Sequence, residues 1–119
     1  MAFPLTPHIL KQAYDLLSTT EPFSRWNLPD SDDVVFKVRR GRSASATLLA
    51  ERGKTVIGIS TACNGHINTV LSSMAHEMVH LHEYRCKIRA RGPDHHGGAF
   101  RKWAAQVCEA HGYDLKLFY

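Results

Sequence analysis

The chain has 119 residues, 44% hydrophobic and 22% charged; this allows one modest core and one domain over 1–119, and excludes a disordered or collagen-like chain. The net charge of +4 permits an anionic partner without demanding one, and no apolar run approaches the roughly 18 residues of a membrane-spanning helix, so no membrane partner is expected. Cys63, Cys86 and Cys108 form no C-x-x-C pair, which disfavours a cysteine zinc ribbon, and Met1–Leu10 lacks a leader pattern, so a cytoplasmic protein is expected.

Thr6-Pro7 reads as a helix cap followed by proline at the first helical position. Ile9, Leu10, Ala13, Leu16 and Leu17 then recur at helical spacing and predict a first helix over about 6–19. A polar loop follows to Asp33. Val34, Phe36 and Val38 alternate with Val35, Lys37 and Arg39, a strand pattern. Ala46–Ala50 and Thr55–Ser60 are two further strands, joined by an Arg52-Gly53-Lys54 turn, and Asn64-Gly65 marks another turn. From a cap at Asn68 or Thr69 a long helix is expected to reach about Ala90, where Gly92-Pro93 stops it. Asp94 could cap a last helix over about 97–111, striped by Phe100, Trp103, Ala104 and Val107. The tail from Tyr113 to Tyr119 reads as a short strand or a packed extension. This order predicts an α+β fold: an N-terminal helix, a small three-stranded antiparallel or mixed sheet, then two helices.

The chemistry concentrates in the long helix. His76-Glu77-Met78-Val79-His80 is an H-E-x-x-H sequence. At about 100° per residue its two histidines stand about 40° apart on one face, one turn apart, so both imidazoles can reach one ion. Glu77 projects about 100° from His76, where a carboxylate serves as general base without being a ligand. Val70, Leu71, Met74, Met78 and Leu81 fall opposite and predict the core face. Ser72 and Ser73 lie on the metal side. His82 points towards the core and reads as a hydrogen-bonded core histidine. His8 and His111 read as surface or capping residues. A catalytic zinc takes three protein ligands and keeps an open position, so a third ligand is needed. The residues alone leave His95, His96, Glu83, His66 and Glu109 open. Glu83 could instead accept from an imidazole N–H.

His76-Glu77-Met78-Val79-His80, the basic linker and His96-Gly97-Gly98-Ala99-Phe100 together resemble the SprT-like (Spartan-type) zinc metallopeptidases. In that family H-E-[ML]-[IV]-H is followed by H-G-x-x-F. Trp103 and the Gly112-Tyr113-Asp114 ending are similar as well. The resemblance covers about 67–114 and the upstream elements only in outline. It implies a minimal zincin-like domain and a Zn²⁺ ion on His76, His80 and His96, with Glu77 catalytic. The chain departs from the family pattern at His95, where glycine is usual, and at Gly98-Ala99, where Pro-Glu is usual. It also has no C-terminal four-cysteine ribbon.

The function so implied is zinc-dependent endopeptidase cleavage of protein substrates, DNA-associated proteins among them. Arg85, Lys87, Arg89 and Arg91, with Arg39, Arg40, Arg42, Arg52 and Lys54, could contact phosphate, although a solvated surface is the favoured account of them. An extended substrate could add to a free strand edge, for which Thr55–Ser60 is the choice. His95, Tyr84 and Tyr119 are the options for an oxyanion donor. Two other classes compete: a basic nucleic-acid-binding module with a non-catalytic zinc, and a zinc-dependent endoribonuclease. Glu77 and Phe100 favour the peptidase. Substrate identity and oligomeric state are not legible.

Overall fold

The computed structural model describes residues 4–40, 46–51, 54–61, 66–86, 98–114 and 118, with 46–51 described in backbone only. Helix α1, Pro7–Ser18, opens as the sequence predicts: Thr6 is extended, and its hydroxyl accepts from the Ile9 amide at 3.2 Å. Leu10, Ala13, Tyr14 and Leu17 form its buried face. The loop that follows holds two short 3₁₀ turns, Phe23–Arg25 and Ser31–Asp33. Between them Asn27 takes a left-handed φ of 53°, a conformation asparagine tolerates better than most side chains.

Three strands follow: β1 (Val34–Arg39), β2 (Ala46–Glu51) and β3 (Lys54–Ser60). They form one mixed sheet in the order β1-β3-β2, with β3 parallel to β1 and antiparallel to β2. Thus β3 is the central strand, and the expectation that Thr55–Ser60 offers a free edge is corrected; the edges are β1 and β2. Consecutive residues Val56 and Ile57, and Ile59 and Ser60, are buried, so both faces of this strand are covered.

Helix α2 runs Ile67–Arg85 and α3 runs Gly98–His111. The start of α2 lies earlier than either expected cap: His66 is the extended N-cap, and its carbonyl accepts from Val70 at 3.0 Å. The described helix also ends before Ala90, with the Cys86 amide donating to the His82 carbonyl at 2.9 Å. The Asn64-Gly65 and Gly92-Pro93 turns and Asp94 lie outside the described residues. Helix α2 packs against α1, α3, β2 and β3. It is therefore the centre of the molecule, buried on most of its circumference rather than on one stripe. Val70, Met74, Ala75, Met78, Val79 and Leu81 are at most 1% exposed, so the predicted core face is right but too narrow. Leu71 is only half-buried. Phe100, Ala104 and Val107 of α3 complete this core.

After α3 the chain reverses at Gly112, whose φ of +76° is the left-handed cap that glycine adopts without strain. Tyr113 stacks on His111, and Phe118, 4% exposed, joins the core. The Phe118 amide donates to the Asp114 carbonyl at 3.0 Å, which makes the tail a packed extension at this point and not a strand. Among the described residues no helix is long and apolar enough to cross a membrane.

Candidate metal centre

His76 and His80 project from one face of α2 with ring centroids 4.9 Å apart. Both rings are half-buried and held by aromatic packing. The Phe100 ring, fully buried, lies 4.4 Å from His80 in a stacked arrangement and 5.0 Å from His76. Phe118 covers His76 from another side at 5.5 Å.

The hydrogen bonds define the chemistry of each ring. Nδ1 of His76 donates to the Phe118 backbone carbonyl at 2.7 Å. A carbonyl can only accept, so the hydrogen resides on Nδ1, and in the neutral ring the lone pair is on Nε2. Nδ1 of His80 donates to Oε1 of Glu83 at 3.0 Å. That pairing puts the lone pair of His80 on Nε2 as well. Metal-ligating histidines characteristically pass their second N–H to a carboxylate or backbone carbonyl in this way. Glu83 is thus an acceptor for an imidazole N–H, the second of the two roles open to it in the sequence.

Two buried carboxylates accompany the pair. Glu77 is 4% exposed, and burial lifts its carboxyl from the ordinary 4.5 to about 8. Glu83 is 4% exposed, and burial raises it to about 6. The second oxygen of Glu83, Oε2, is buried with no hydrogen-bond partner among the described residues. A half-satisfied buried carboxylate is costly unless positive charge lies nearby. These observations fit a cation: two imidazoles whose Nδ1 hydrogens are committed to acceptors, a carboxylate polarising one of them, and a second carboxylate one residue from the first imidazole.

Among the described residues no third histidine, cysteine, aspartate or glutamate completes a cluster with this pair. His95 and His96 lie outside the described residues. His66, another possible third ligand, is exposed at the N-cap, about 15 Å along the axis from His76. Glu109 is exposed on α3. Tyr84 is 60% exposed, and Tyr119 lies outside the described residues. Ser72 and Ser73 are half-buried on the His76 side of the helix.

His82 meets its expectation in part, half-buried with a sulfur partner. It is stacked flat on Trp26 at 4.3 Å with a 6° interplanar angle, and edge-on to Trp103 at 4.3 Å. Its surroundings are two indoles and the Cys86 sulfur, which lies within hydrogen-bonding range of its ring nitrogens at 3.9 and 3.8 Å, and burial followed by the nearby Arg85 lowers its pKa. His111 is also not simply at the surface: its Nε2 lies 3.1 Å from the Thr20 hydroxyl, which itself donates to the Leu17 carbonyl. Arg85, one of the basic residues considered for phosphate, donates to the Asn27 carbonyl at 3.1 Å.

Phe118 is the residue of this candidate site that sequence reasoning passes over. Its contribution is a backbone carbonyl, which carries no residue-type signal. No family model matches the chain, and neither a curated protein nor a solved structure does.

Proposed function

We propose that the chain is a zinc-dependent endopeptidase of SprT-like, zincin-type architecture, with His76, His80 and His96 as ligands and Glu77 as general base. One observation carries this reading: two neighbouring imidazoles on one helix, each with its Nδ1 hydrogen committed to an acceptor, beside a buried glutamate. A core without a cation has no need of two oriented lone pairs and two buried carboxylates on adjoining turns.

When bound, zinc supplies Lewis acidity, polarising a scissile carbonyl and acidifying the attacking water. Phe118 and Glu83 hold the tautomers and ring planes of His76 and His80, and Phe100 packs against both rings. Glu77 takes the proton of the attacking water at a carboxylate oxygen and delivers it to the leaving amine. Its burial strengthens its hold on that proton until the amine receives it, and a dication held by His76, His80 and His96 would favour its ionised form. The edge strand that packs against α2 is β2, so an extended peptide would add there. The substrate class is protein, with DNA-bound proteins the class to which a basic surface would bring it.

The test is elemental analysis together with Glu77→Gln. The wild-type chain should bind one zinc and cleave an unfolded protein. Glu77→Gln should keep the zinc and lose at least about 10²-fold in rate. Undiminished cleavage by Glu77→Gln removes Glu77 from the chemistry. RNA cleavage without protein cleavage would assign the endoribonuclease class instead, and zinc held by four side chains with neither activity would assign a structural site.

A further inference from the structure

The segment after α3 ends its described course at the metal helix. Phe118 does two things there. Its carbonyl accepts from Nδ1 of His76 at 2.7 Å, and its ring, buried to 4% exposure, packs against the same imidazole and is stacked on Tyr113 at 5.8 Å. The ring is what places the carbonyl: it anchors the backbone in the core between Tyr113 and His76, 42 residues from its hydrogen-bond partner. The other imidazole is served locally, by Glu83 three residues along the same helix. Among the described residues the two histidines are therefore oriented by different means, His76 by a distant backbone carbonyl and His80 by a carboxylate on its own helix.

We infer that Phe118 is a positioning residue for the metal centre, whose carbonyl sets the tautomer and ring plane of His76 and so couples docking of the tail to zinc affinity. This rests on the metallopeptidase reading above. With the hydrogen held on Nδ1, the Nε2 lone pair is presented in every molecule. With the tail undocked, His76 divides between two tautomers and its ring turns about χ1 and χ2, so zinc must meet the ordering cost itself.

Two changes separate the carbonyl from the ring. Replacing Tyr119 by its α-hydroxy-acid counterpart turns the 118–119 amide into an ester, which leaves the Phe118 ring in place and makes its carbonyl a weaker acceptor. Phe118→Ala removes the anchor. Zinc affinity is read by competition with a chromophoric chelator, and the His76 tautomer by ¹⁵N NMR of the metal-free protein. Phe118→Ala should bind zinc roughly 10–100-fold more weakly, and the ester variant several-fold more weakly. Wild-type His76 should show the Nδ1–H form, and the ester should shift it towards Nε2–H. Unchanged affinity and tautomer in the ester, with wild-type zinc binding intact, overturns the role of Phe118 and leaves the peptidase reading standing. The ester decides the matter even if Phe118→Ala fails to fold. A wild-type chain that binds no zinc overturns both.

Discussion

The Nδ1 hydrogen of His80 is held by Oε1 of Glu83 at 3.0 Å, inside a helix buried on most of its surface. The carboxylate is one turn away from the ring it orients, so the pair forms as soon as the helix does. Its remaining oxygen has no hydrogen-bond partner among the described residues, which burdens the fold unless positive charge lies nearby.

Glu83→Ala should therefore weaken zinc binding roughly 10–100-fold, and Glu83→Gln less, because an amide oxygen still accepts from Nδ1. Chelator competition measures both. Equal affinity across the three proteins would show that His80 needs no such partner.

Glu77 has a cost in the metal-free protein that can be measured directly. Burial raises its carboxyl from 4.5 to about 8, so folding takes up a proton between those values. Metal-free stability from this group falls as pH rises from 4.5 to about 8, and the cost is complete above that. Metal-free Glu77→Gln should melt with the wild type near pH 4 and about 5 °C or more above it at pH 8. A gap that does not widen with pH contradicts the burial of this carboxyl.

Phe100 is fully buried and packs on both imidazoles. Phe100→Ala should cost about 3–5 kcal/mol in urea denaturation, and Phe100→Leu clearly less, since a branched aliphatic side chain refills part of the cavity. A loss below about 1 kcal/mol for the alanine variant would mean that the core closes over the gap.

The indole of Trp26 and the imidazole of His82 join the loop after α1 to α2. A double-mutant cycle of Trp26→Leu and His82→Leu should give a coupling of about 0.5–1.5 kcal/mol beyond the separate losses. Strict additivity would reduce the stacking to coincidental proximity.

Much of the fold is legible because its signals are local. The cap at Thr6, the alternation from Val34 to Val38 and the H-E-x-x-H spacing each act within a few residues. They place α1, three strands and two imidazoles on one helical face with little help from elsewhere. The middle of the sheet is not legible, because β2 and β3 have similar apolar patterns and only pairing on both sides makes β3 central. The surroundings of His82 escape for a similar reason: helical projection shows the direction of a side chain but not the two indoles that meet it.

The sequence by itself determined the class of chemistry to look for, since an acid between two histidines at one helical turn follows from the geometry of the α-helix. Only the tertiary structure decided how those histidines are held. The acceptor for His76 is a carbonyl 42 residues away, brought there because burying the Phe118 ring stabilises one return path of the chain. Backbone groups are the same at every position, so only the packing of neighbouring side chains chooses which carbonyl arrives.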